Sequence, residues 1–148
     1  MKPHPFLRAY LAGIFVPTLV LPLILAGFIV VRLVLATPFP IERFLVFPFA
    51  LVPTLFGLWN MLYLASHGRL HQSIGLHGAV LPILGAPIGA FVASCLGLLD
   101  FGAHRVIYFQ YVRVPYAVLP LLVLAAMAGY YLVWKYVVGF LNRTLGIA

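Results

Sequence analysis

The sequence predicts an all-α integral membrane protein, a four-helix bundle in a single domain of 148 residues. Composition says so first. Apolar residues make up 65% of the chain and charged residues 7%, against about 25% charged in a soluble domain. The second sign is a proline pair with four residues between its members, which recurs in four apolar stretches: Pro17 and Pro22, Pro48 and Pro53, Pro82 and Pro87, Pro115 and Pro120. A proline inside a helix removes an N–H donor and strikes the carbonyl four residues back. Helices packed in a membrane tolerate this, because their neighbours satisfy the freed groups.

A spanning helix takes about 20 apolar residues, and four stretches supply them: 10–31, 44–65, 78–99 and 114–134. None contains an acid, and Arg32, Glu42, Arg43, Asp100, Arg113 and Lys135 sit at or beyond the edges. The first stretch follows Lys2 and Arg8 as a secretory signal would. Its apolar run is about twice the usual signal length, so it reads as a retained helix. Cys95, the single cysteine, is placed within the third span and gives no indication of redox compartment.

Four spans bring both ends of the chain to one side. Lys2, Arg8, Arg69, Lys135 and Arg143 fall there without an acid; Arg32, Arg43, Arg105 and Arg113 fall opposite, with Glu42 and Asp100. By the positive-inside rule the termini are cytoplasmic, on a margin of five basic residues to four. Arg69, Lys135 and Arg143 are the candidates for contact with anionic headgroups on that side. Residues 100–114 mix tyrosines with Arg105 and Arg113, and read as an interfacial loop, an amphipathic turn or an early start to the fourth helix.

An offset of 65 residues lays Leu11, Gly13, Pro17, Leu19 and Pro22 on Leu76, Gly78, Pro82, Leu84 and Pro87. An offset of 67 lays Pro48, Ala50, Pro53, Leu55 and Tyr63 on Pro115, Ala117, Pro120, Leu122 and Tyr130. Two readings stand: a helical hairpin followed by its copy, or proline-rich helices that share a spacing. Gly13 and Gly78 stand four residues before Pro17 and Pro82, where a missing Cβ eases the proline clash. Pro115 is expected at a helix start, where its missing N–H costs nothing.

Packing is expected to centre on the third helix. Gly85, Gly89, Ala93 and Gly97 recur every four residues and form one small-residue face, which permits close approach of a neighbouring backbone. Asn60 is the most polar group within a span and needs hydrogen-bond partners across the bundle.

Candidate chemistry is sparse. His67 and His71 are four apart, with His77 close behind; on a helix the first two share a face, the spacing used for a metal. Gly68 and the polar run to Gly75 read instead as a loop at the interface. Metal or haem ligation by His67, His71 or His77 and headgroup contact stand beside that structural reading. Ser66, Ser73 and Ser94 belong to no nucleophile motif, Asp100 has no second carboxylate for a dyad, and no ionisable group lies at membrane depth for a coupled pump. No enzyme activity, cofactor or nucleic-acid partner is expected. The sequence points first to a structural or accessory subunit of a larger membrane complex. A small transporter, channel or lipid-handling protein comes next, then a haem- or quinone-binding electron-transfer subunit.

Overall fold

The computed structural model describes residues 4–36, 50–70, 72–108 and 112–147, with the side chains of 68–70 excepted. The fold is mostly helical. Helix α1 runs Pro5–Val34 and α2 Ala50–Leu70. Helix α3 covers Ile74–Cys95 and α4 Tyr116–Thr144. Three of the four, α1, α3 and α4, are long and apolar enough to cross a membrane, with mean hydropathies of 2.7, 1.8 and 2.0. The expected second span, 44–65, is helical from Ala50 onwards, and its first residues lie outside the described part. Trp59, Asn60, Tyr63 and His67 make α2 the least apolar of the four.

The helices pack as two hairpins, α1 on α2 and α3 on α4. Arg8 Nη1 donates to the Leu145 carbonyl at 3.0 Å, so residues from both ends of the chain meet at one end of the bundle. This end is the tightly packed one. Ala9, Ala12 and Gly13 are buried on α1, Gly75, Gly78 and Ala79 on α3, and Trp134 and Val138 on α4 with Phe56 of α2 beside them.

The prolines act less uniformly than their spacing implies. Helix α1 continues through Pro17 and Pro22, α2 through Pro53 and the third helix through Pro87. Pro82 stands just beyond a break at Val80 that divides α3 into Ile74–Ala79 and Leu81–Cys95. Pro115 does precede a helix: it flanks the 3-10 turn Tyr116–Val118 that opens α4.

Three expectations are corrected. The described residues of 99–115 form a three-stranded antiparallel meander, β1 Leu99–Phe101, β2 Arg105–Tyr108 and β3 Val112–Pro115, where a loop or helical turn was expected. The β-branched residues Val106, Ile107, Val112 and Val114 favour strand pairing over a helix. The third helix also ends earlier, at Cys95. Gly97 adopts φ +65°, Leu98 N–H bonds the Ala93 carbonyl at 2.8 Å and Gly97 N–H the Ser94 carbonyl at 3.0 Å, the double bond of a Schellman stop. Cys95 is therefore an exposed residue at a helix end, and Gly97 terminates α3 instead of packing it.

The small-residue face is the third correction. A Cβ added at Gly85 or Gly89 would find nothing within 4 Å. At Gly13 it would strike the backbone of Phe56 and Gly57, at Gly57 the Tyr10 ring, and at Gly78 the Trp134 ring. The close approaches inside this chain thus lie at the end where the termini meet, and the Gly85–Gly89 face opens onto a cleft. The offsets of the sequence match do not carry these contacts over: the second offset takes Gly57 to Leu124, whereas Gly78 meets Trp134.

Candidate functional site

Two regions concentrate the chemistry: a polar cluster in the packed half and an apolar cleft in the other. The cluster begins with Asn60, which finds the partners it needs. Its Nδ2 donates to the Ala9 carbonyl at 2.7 Å and to Asn142 Oδ1 at 2.9 Å, and Asn142 Nδ2 returns a bond to Asn60 Oδ1 at 3.1 Å. Both amides are fully buried. They tie α1, α2 and α4 together.

Asn142 was not recognised in the sequence, because it lies beyond the expected end of the fourth span at 134. The helix in fact continues to Thr144 through a wider turn, Val133–Val138, in which Gly139 N–H bonds the carbonyl of Trp134, five residues back. Such turns hold more residues than an α-turn. Trp134, Val138 and Asn142, each four apart, consequently stay on the buried face. Lys135 is carried into the helix, with its Nζ 5.3 Å and 5.4 Å from the ring centroids of Tyr131 and Tyr136. Arg143 lies in the last turn. The Arg69 side chain and the whole of His71 lie outside the described residues.

The histidines separate. His67 is exposed on α2, which runs on to Leu70, into the start of the segment expected to be a loop. His77 is buried, contrary to its placement in an interfacial loop. Its ring stacks on Trp59 at 4.6 Å and stands edge-on to Trp134 at 5.9 Å. Nε2 lies 2.9 Å from the Trp59 carbonyl, an acceptor only, so this nitrogen carries the proton. Trp59 Nε1 donates in turn to the His77 carbonyl at 2.9 Å. Tyr63 packs against both rings, 4.9 Å from His67 and 5.3 Å from His77. Among the described residues no group of three or more His, Cys, Asp or Glu side chains is placed to hold a metal ion. Trp134 Nε1 is buried without a hydrogen-bond partner among them.

The cleft lies above this cluster, separated from it by the rings of Phe56 and Tyr130, 5.5 Å apart. Its volume is about 810 Å³. Leu51, Val52 and Leu55 of α2 form one wall, Gly85, Ala86 and Gly89 of α3 another, and Leu119, Leu122 and Ala126 of α4 a third. The meander closes one end with Leu99, Phe101, Val106 and Tyr108. A smaller cavity of about 210 Å³ lies against α1, between Pro17, Val20 and Val133, and shares Val52, Phe56 and Tyr130 with the cleft.

Strand register explains how one short sheet serves as this cap. Leu99 pairs with Tyr108 and Phe101 with Val106, whereas Asp100 pairs with Ile107 and Ile107 with Arg113. Paired residues share a face and alternate residues change face. The apolar set therefore turns to the cleft, and Asp100, Arg105 and Arg113 lie on the other face. Tyr116 fixes the sheet to the start of α4: its hydroxyl donates to the Gly102 carbonyl at 2.7 Å, and its N–H to the His104 carbonyl at 3.3 Å.

No protein-family model matches the chain, and neither does a curated protein or a solved structure.

Proposed function

We propose that this is a multi-pass membrane protein that handles lipid, holding a hydrophobic constituent of the bilayer in the cleft between α2, α3 and α4. A membrane setting is supported by an inside-out distribution of polarity. Asn60 and Asn142 are fully buried, while Leu23 and Phe91 are 72% and 70% exposed. In water this arrangement would leave large apolar side chains solvated on every helix; in hydrocarbon it is the favourable one, because amides must bond within the protein.

The observation that carries the lipid reading is the size and lining of the cleft. About 810 Å³ falls within the 300–1,000 Å³ range of pockets that enclose a small hydrophobic molecule. The test is lipid retention. Purified in mild detergent and analysed by native mass spectrometry, the protein is expected to keep one or two lipid molecules, and Gly89→Phe to release them while keeping its helical content. Equal retention by both proteins counts against the reading.

An accessory subunit of a larger complex is the second reading, favoured by one feature: Gly85 and Gly89 are uncovered, and such a face admits a partner helix. Co-purification of a stoichiometric larger partner, lost on substituting Gly85 or Gly89 with leucine, would support it. An electron-transfer role gains no similar support, because His77 is held by Trp59 and His67 lies apart on an exposed face. Cytoplasmic termini and the hairpin duplication belong to the same proposal, and rest on the five-to-four basic margin and the matched proline spacings.

A further inference from the structure

We infer that the cleft takes an uncharged lipid whose carbonyl or hydroxyl oxygen accepts a hydrogen bond from the Tyr130 hydroxyl; this rests on the lipid reading of the cleft.

The lining of the two cavities restricts what they can hold. Among the described residues no charged side chain borders either of them. Tyr130 is the one lining residue of the smaller cavity with a polar side-chain atom, and Tyr130 and Tyr108 are the two in the cleft. Tyr130 is half-buried, with its ring 5.5 Å from that of Phe56. Its hydroxyl makes no hydrogen bond among the described residues. The fully enclosed side-chain polar atom without a partner among them is Trp134 Nε1. The Tyr130 hydroxyl, equally unpartnered, is therefore reached from open space, and both cavities border this residue.

The hydroxyl also lies deep. Tyr130 packs on the same core cluster as Val16 and borders the smaller cavity with it. At 1.5 Å per residue, Val16 stands about 12 Å inward from Arg8 along α1 and about 24 Å from Arg32. In hydrocarbon at this depth a phenol needs a partner, since no water reaches it there. A phospholipid with only its chains in the cleft would leave the donor facing methylene groups. Drawing its headgroup down to Tyr130 would strand a phosphate where no cation faces it. An uncharged lipid avoids both costs. Its oxygen pairs with the hydroxyl, and its chains fill the remaining apolar space along Gly85, Ala86 and Gly89.

The experiment compares diacylglycerol with phosphatidylcholine of identical chains, both offered to the detergent-purified protein and scored by native mass spectrometry. The wild type is expected to retain diacylglycerol in preference. Y130F keeps the ring against Phe56 and removes only the donor. In that variant diacylglycerol retention should fall about two- to tenfold, the effect of one neutral hydrogen bond, with phosphatidylcholine retention unchanged. Y108F should retain diacylglycerol as the wild type does. A dialkylglycerol of the same chains separates the two acceptors, because it has the hydroxyl but no carbonyl. Retention equal to that of diacylglycerol, with the same loss in Y130F, assigns the bond to the lipid hydroxyl; weaker retention that Y130F leaves unchanged assigns it to the carbonyl. Equal retention of diacylglycerol and phosphatidylcholine by the wild type, or full retention of diacylglycerol by Y130F, overturns the inference. G89F tests the underlying reading separately, because no atom lies within 4 Å of the Cβ position at Gly89 and the larger ring fills the cleft without displacing the helix. If G89F holds both lipids as well as the wild type does, the cleft is not the lipid site at all. If G89F releases diacylglycerol and Y130F keeps it, the lipid reading stands and the role of Tyr130 fails.

Discussion

Asn60 and Asn142 exchange hydrogen bonds through their side-chain amides, at 2.9 and 3.1 Å, in the fully buried centre of the packed half of the bundle. The two residues belong to different hairpins. Asn60 also reaches the Ala9 carbonyl, so three helices depend on one pair of side chains. Truncating Asn142 leaves Asn60 Oδ1 without its donor, while Asn60 Nδ2 keeps the Ala9 carbonyl.

We predict that Asn142→Ala destabilises the protein by about 1–3 kcal/mol, the cost of an unsatisfied buried polar group. Asn60→Leu with Asn142→Leu should cost less than the two single substitutions summed, because nothing polar then remains unpaired. Denaturation in mixed micelles measures all four variants. Strict additivity would mean that the amide pair is energetically uncoupled.

Glycine substitutions should divide according to their surroundings. Gly78→Ala places a Cβ in the Trp134 ring, whereas Gly89→Ala places one in open space. A loss of about 1–3 kcal/mol is expected for the first, typical of overpacking, and no loss for the second. A Gly89→Ala variant as unstable as Gly78→Ala would show that the α3 face is covered.

Gly97 is needed for its conformation. At φ +65° an alanine is disfavoured by about 1–2 kcal/mol, so Gly97→Ala should weaken the junction between α3 and the sheet. Hydrogen exchange at Leu98 reads this directly, since its N–H bonds the Ala93 carbonyl. Protection at Leu98 that is unchanged in the variant would contradict the assignment of Gly97 as the helix stop.

Trp59 and His77 bond each other's carbonyls. Trp59→Phe keeps most of the stacking surface but removes the indole donor, and should cost about 0.5–1.5 kcal/mol. His77→Ala removes the ring that contacts Trp59, Tyr63 and Trp134, and should cost more, about 2–5 kcal/mol by analogy with other cavity-forming core truncations. If both variants were equally stable, the imidazole would contribute nothing beyond its single hydrogen bond.

Four apolar stretches, the helical character of the chain and the need of Asn60 for a partner were legible in the sequence, because each follows from local composition or from one residue's chemistry. The pairing of Asn60 with Asn142 was not, since it required α4 to run ten residues past Trp134 to Thr144 through a wide turn. The same extension buried Trp134 and set it against His77, which sequence reasoning had left in a loop. Small residues are the means of helix contact, yet the glycines of the regular Gly85–Gly97 series make no close approach within this chain. Gly13, Gly57 and Gly78 form the actual approaches, and their irregular spacing gave no comparable signal. The β-branched residues Val106, Ile107, Val112 and Val114 were a usable strand signal, masked by arginines and tyrosines that also suit an interfacial helix or loop.

The sequence by itself determined that this chain makes long apolar helices, because length, hydropathy and the scarcity of charge act locally and leave few alternatives. Only the tertiary structure decided which faces meet and which stay open. Close packing depends on the shapes of both partners at once, and a glycine leaves the same absence of side chain whether a tryptophan fills the space or a cleft does.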